Sequence, residues 1–298
     1  MNVPVTKALL LALTLSAVSC GPRLPAGSTS RTISFAGARY SYILHTPKII
    51  SSRPALLLVL HGLKGDGAGI QRRTRGVFEQ LANRDGFIVA YPDARHDAWN
   101  SGHRYAKSDA DDVKYLSALI DALSAEFHID PNRIFVTGFS NGASMTYRLA
   151  CERPDKIAAI APVGGGLAER LMRDCAAAAT RPMPLLLIHG TADEISSFDD
   201  GELEGNLQYW IRRNGCALSP MRTWLPDTMK DGTRTRVDSF GACAQGADVV
   251  MYAVEGGGHH WPGGDEKLTA RNGREIRDFD AAIVIWEFFN KHPMPATE

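Results

Sequence analysis

The sequence predicts an α/β domain in which a mostly parallel sheet is covered by helices on both faces. Short apolar runs recur at Ala55–Leu60, Phe87–Tyr91, Ile134–Thr137, Ile157–Pro162, Leu185–His189 and Val249–Val254. Their continuity suits strands buried on both sides. Longer amphipathic stretches alternate with them, and alternation of strand and helix implies parallel strands joined by crossovers. The chain has 298 residues, 44% of them hydrophobic and 22% charged. This is ordinary globular composition, of a length that fits one large α/β domain.

Each element has its own signal. Thr32–Phe35 and Tyr40–His45 read as a hairpin turning at Ala36-Gly37. Ile70–Arg84 carries Val77, Phe78 and Leu81 at helical spacing, and Gly86 precedes the next strand. Asp109–Phe127 is the clearest helix, with Leu116, Leu119, Ile120, Leu123 and Phe127 on one stripe. Asp109, Asp111 and Asp112 fall in its first turn, where carboxylates complement the helix dipole. Further helices are expected at Ala143–Ala150, Glu202–Arg213 and Phe279–Asn290, the last bearing Ile283, Ile285, Trp286 and Phe289. Pro220–Ala247, rich in Gly, Arg and Thr, has no clear period and is expected to cover one edge of the site. No repeat or internal boundary divides residues 31–298, so they read as a single domain.

The N-terminus reads differently. Lys7 precedes the apolar run Ala8–Val18, too short for a mature membrane span and typical of a secretory signal. It closes as Leu15-Ser16-Ala17-Val18-Ser19-Cys20-Gly21, which resembles a bacterial lipobox. Residues 1–19 are therefore expected to be removed and Cys20 lipidated, anchoring the exported protein to a membrane. An ordinary signal peptide is the alternative. Residues 20–30, rich in Pro, Gly and Ser, are expected to form a flexible tether. Four cysteines remain: Cys151, Cys175, Cys216 and Cys243. An even number in an exported chain predicts two disulfides in one of three pairings, the sequential one being favoured. Lys plus Arg and Asp plus Glu each number 33, so no charge excess argues for nucleic acid.

The chemistry centres on Gly138-Phe139-Ser140-Asn141-Gly142, set between a predicted strand and a predicted helix. That context suits a sharp turn that lifts a nucleophilic serine above the sheet edge, with glycines tolerating the crowding. A serine hydroxyl needs a base oriented by an acid, and the α/β-hydrolase fold supplies them in the order serine, acid, histidine. Asp193, in Gly190-Thr191-Ala192-Asp193 after a strand, is the candidate acid, with Glu194, Asp199 and Asp200 as rivals. Three glycines, Gly256 to Gly258, then deliver two adjacent histidines, His259 and His260, between which spacing does not choose. The backbone amides of Asn141 and Leu63 are expected to form the oxyanion hole, with His61 shaping the second loop. No cluster has zinc-site spacing, and neither a metal nor a cofactor is expected.

The segments LVLHG, DDVKYLSALIDAL, IFVTGFSNGASMTYRLAC, IAAIAPVGGG, LLLIHGTAD and VEGGGHHWPG follow one another in the order of a known family. Across residues 32 to 290 the chain resembles the secreted polyhydroxybutyrate depolymerase and feruloyl or acetylxylan esterase family of the α/β-hydrolases. The resemblance implies ester hydrolysis through an acyl-serine intermediate, with Ser140, Asp193 and His259 as the catalytic residues. His260 stands where relatives carry Thr. The resemblance also supports the sequential cysteine pairs, and it puts Trp99 in the family's aromatic substrate wall, with packing as loop core as the alternative. His61 and Trp261 are further candidates for contact with the substrate. A peptidase of the same fold and an inactive ligand-binding lipoprotein are the competing readings.

Overall fold

The computed structural model describes residues 24–103, 108–177, 181–198, 202–265 and 273–295. Their strands are β1 (Ser28–Phe35), β2 (Ala38–His45), β3 (Leu56–Leu60), β4 (Ile88–Pro92), β5 (Ile134–Phe139), β6 (Ala159–Val163), β7 (Leu185–Gly190), β8 (Met221–Trp224), β9 (Arg234–Phe240) and β10 (Val249–Glu255). They form one sheet in the order β1-β2-β4-β3-β5-β6-β7-β10-β9-β8. From β4 to β10 neighbouring strands run parallel, and each edge is finished by antiparallel strands.

The helices are α1 (Gly67–Arg73), α2 (Val77–Asp85), α3 (Asp112–Phe127), α4 (Asn141–Glu152), α5 (Glu169–Ala177), α6 (Glu202–Arg213) and α7 (Ala281–Lys291). Strand alternation divides the apolar core into two layers. Leu56, Leu58 and Leu60 of β3 face one layer with Leu116 of α3, Met145 of α4 and Trp210 of α6. Leu57 and Val59 face the other, with Phe78 of α2 and Ile285, Trp286 and Phe289 of α7. Both faces of the central strands are thus covered, which is why they read as unbroken Leu/Val/Ile runs.

Several boundaries differ from the sequence reading. The sheet begins at Ser28, so the expected tether loses its last three residues to β1; its residues 20–23, with Cys20, and the signal segment lie outside the described residues. The helix expected over Ile70–Arg84 is broken, because Arg75 (φ 55°) and Gly76 (φ 67°) turn left-handed between α1 and α2. Asp111 caps α3, accepting from the Lys114 amide at 3.2 Å, so Asp109 falls outside the helix. The irregular stretch Pro220–Ala247 contributes β8 and β9, which widen the sheet rather than covering the cavity described below. Its strands were hidden because β8 is exposed throughout and β9 is rich in charge, with Arg222 and Arg236 both bound to Asp238.

Disulfides join Cys151 of α4 to Cys175 of α5, and Cys216 to Cys243. With sequence separations of 24 and 27 residues, each stabilises by about 3 kcal/mol on a chain-entropy estimate.

Candidate active site

The strand-to-helix turn at Ser140 is set by close backbone approach. A Cβ on Gly142 would lie 2.3 Å from the Leu60 carbonyl oxygen, and one on Gly138 would lie 2.6 Å from the Gly142 carbonyl carbon. Only glycine fits either place. Between them Ser140 adopts φ 57°, ψ −118°, a strained conformation that costs about 1–3 kcal/mol and marks functional sites. Its amide donates to Val163 O at 2.9 Å, which holds the turn to β6.

Two loops at the carboxyl ends of β7 and β10 bring the partners. They are pressed together so closely that a Cβ on Gly190 would sit 2.3 Å from Gly257 O. His259 Nδ1 lies 2.7 Å from Asp193 Oδ2, and His259 Nε2 lies 2.9 Å from Ser140 Oγ. With the proton on Nδ1, donated to the carboxylate, the Nε2 lone pair is free to accept the serine proton. Asp193 Oδ1 accepts from the Ile195 and Ser196 amides, both at 2.9 Å. His189, which sequence reasoning passed over as part of a strand, stands behind it: Nε2 is 2.6 Å from Ser196 O and 3.4 Å from Asp193 Oδ2. Burial pushes the Asp193 carboxyl upward, but the hydrogen bonds from His189 and His259 outweigh it and hold the pKa well below the carboxylate range.

Of the two neighbouring imidazoles, His259 is the one at Ser140. His260 turns away and donates from Nε2 to Gly273 O at 2.9 Å, while burial lowers its pKa. Glu194 is exposed, and Asp199 and Asp200 lie outside the described residues.

The loop after β3 lies against the nucleophile: a Cβ on Gly62 would meet Ser140 Cβ at 3.4 Å. Within it the Lys64 amide donates to Asp97 O and the Gly65 amide to Gly62 O. The Leu63 amide has no acceptor among the described residues. His61 Nδ1 donates to Gly62 O at 2.8 Å and Nε2 accepts from the Ala94 amide at 3.0 Å. Both ring nitrogens are therefore occupied, and burial lowers the pKa, so this histidine is a neutral strut.

The two tryptophans expected along the substrate are not there. Trp99 is fully buried, its indole N–H donates to His61 O at 2.9 Å, and its ring stacks on Tyr115. Trp261 is buried with its ring edge-on to Phe78. Each braces a site loop from behind, because its large apolar surface is better covered by core than by the polar cavity. The Asn141 side chain completes the bracing from the nucleophile's own helix. Its Oδ1 accepts from the Trp99 amide at 2.8 Å, and Nδ2 donates to Trp99 O and Ser101 Oγ. That clamp had no signal in the sequence beyond the motif.

Ser140 and His259 open onto a cavity of about 800 Å³, within the range of small-molecule sites. Its walls combine Ile70, Phe139, Ile195 and Leu203 with His61, His103 and the basic Lys64, Arg72 and Arg73. Gly164, Gly165 and Gly166 form the floor beside the nucleophile.

Residues 98–209 match the phospholipase/carboxylesterase family model. Over 292 residues the chain is 30% identical to "Putative esterase NocK" of Nocardia uniformis subsp. tsuyamanensis, covering 88% of this chain and 83% of that one. The chain belongs to the esterases of the α/β-hydrolase fold. This esterase is also 28% identical over 221 residues to feruloyl esterase B of Piromyces equi, covering 68% of its own length and 39% of that relative's. Among solved structures, the acetyl xylan esterase from Aspergillus awamori superposes with a TM-score of 0.62 over 78% of this chain and 94% of that one. At 16% identity, that likeness is one of fold. The esterase is a serine carboxylic ester hydrolase, with the strand-end cavity above Ser140 in the place where such folds bind ligands.

Proposed function

We propose that the esterase hydrolyses acyl esters of the kind borne by plant polysaccharides, acetyl or hydroxycinnamoyl groups on a sugar chain, through an acyl-serine intermediate. Ser140 Oγ attacks the ester carbonyl while His259 Nε2 takes its proton. The tetrahedral oxyanion is held by the amides of Leu63 and Asn141, and Asp193 stabilises the imidazolium. Collapse expels the alcohol, which receives the proton from His259. Water, deprotonated by the same imidazole, then attacks the acyl-serine and releases the acid with Ser140 restored.

The observation that supports this reading is the unbroken hydrogen-bonded line from Asp193 through His259 to Ser140 at the floor of an open cavity. The names of the relatives support the substrate class. The two disulfides support export into an oxidising compartment, and Lys7 to Cys20 supports lipid anchoring there. Turnover of p-nitrophenyl acetate, and of methyl ferulate, acetylated xylan and hydroxybutyrate oligomers side by side, tests activity and substrate class. Wild type is expected to release acid from the first three and S140A from none. A folded wild type without turnover on any ester would contradict the reading.

A further inference from the structure

The cavity is more basic than the chain. The esterase has equal numbers of acidic and basic residues, yet the described residues lining the cavity include Lys64, Arg72 and Arg73 and no carboxylate. None of the three makes an ion pair among the described residues. Arg73 is the deepest of them. Its guanidinium lies over the Phe139 ring at 4.5 Å from the centroid, and the same ring meets the His259 imidazole at 4.7 Å. The cation is thus placed beside the residue preceding the nucleophile. Its Nη1 is buried and has no hydrogen-bond partner among the described residues.

We propose that Arg73 reads a carboxylate on the substrate, so that the esterase prefers esters carrying an anionic group close to the scissile bond. The inference deepens the proposed esterase activity and rests on it. A buried guanidinium N–H without an acceptor is costly, and the contact with Phe139 engages only the face of the guanidinium, not its N–H edge. Asp265, whose amide donates to Arg73 O at 3.2 Å, favours the charge electrostatically. Burial opposes the charge, but arginine stays protonated and offers a planar fork that matches a carboxylate. A carboxylate entering the cavity would meet a cation that no acid lining it neutralises. Uronic acid residues of a polysaccharide, on the alcohol side, and monoesters of dicarboxylic acids, on the acyl side, share the required chemistry.

The test compares kcat/KM for matched pairs. On the acyl side these are mono-p-nitrophenyl glutarate and its neutral methyl ester; on the alcohol side, meta-acetoxybenzoate and meta-acetoxybenzamide. In wild type one pair is expected to favour the anion by roughly tenfold or more, the size of one charge-assisted contact, and the responding pair identifies the side. The anion-to-neutral ratio is expected to fall to about one in R73M and to recover partly in R73K, which keeps the charge but not the fork. Because the ratio is internal to each variant, a general loss of activity does not imitate the effect. Competition on wild type alone gives a second readout: isophthalate is expected to inhibit p-nitrophenyl acetate hydrolysis competitively, and isophthalamide not. Hydrolysis of the neutral esters without anion preference or isophthalate inhibition would overturn the inference and leave the esterase reading standing, as would a preference that survives in R73M. A wild type that hydrolyses none of the four esters would overturn both.

Discussion

Asp193 and Asp112 are both buried carboxylates braced against the site, and their surroundings drive them in opposite directions. Asp193 meets two backbone amides and His259, with His189 behind it, and its pKa falls well below the carboxylate range despite burial. Asp112 accepts from the Asn100 amide at 2.7 Å, its Oδ1 has no partner among the described residues, and burial pushes it up to about 6. The two are almost equally hidden from solvent. Donors, not depth, therefore decide which carboxylate stays charged. The difference fits their duties. One must face an imidazolium, while the other ties down Asn100 of the loop that carries Trp99 to the Asn141 clamp.

The largest expected effect comes from removing the charge where it is held. D193N should lower kcat/KM by about 10⁴-fold, because an amide no longer fixes the imidazole tautomer, while circular dichroism stays native. A loss under tenfold would break the contrast. The opposite response is expected at Asp112. Its folded pKa lies above the ordinary value of about 4, so its contribution to stability is complete below that pH and is lost as pH rises through about 6. D112N should therefore stabilise the protein at pH 8 by up to about 3 kcal/mol, with the gain vanishing near pH 4; urea denaturation at both values checks this. Asp193 has the reverse sign, favouring the fold at neutral pH and losing that contribution only in strong acid.

A smaller effect sharpens the role of His189. H189L removes a donor facing Asp193 and should cost about tenfold in kcat/KM, with the acid limb of the pH profile moving upward. The smallest is expected at His260, where H260Q keeps a donor for Gly273 O and should stay within about threefold of wild type, less than 1 kcal/mol.

Much of this was legible because the chemistry leaves local marks. Gly138 and Gly142 are demanded by contacts under 3 Å, so the turn announces itself in the motif. The central strands show as apolar runs because both their faces are buried. The antiparallel strand β9 did not show, since its alternation is filled by Thr235, Arg236 and Asp238 rather than by hydrophobics. The break at Arg75-Gly76 was masked by good helical spacing on either side. Trp99 was read on resemblance as substrate wall or as loop core, and Trp261 as a substrate contact, yet which way a loop tryptophan points depends on Tyr115, Phe78 and His61, far away in sequence. His189 and Arg73 were invisible for the same reason. Each matters through neighbours that only the fold supplies.

Reaction with a fluorophosphonate, followed by peptide mapping of wild type, H259Q and H260Q, tests the Ser140–His259–Asp193 line most directly. The label is expected on Ser140 in wild type and H260Q at similar rates, with H259Q slowed by more than about 10³-fold. Label on another residue, or loss of labelling in H260Q with H259Q unaffected, would contradict it.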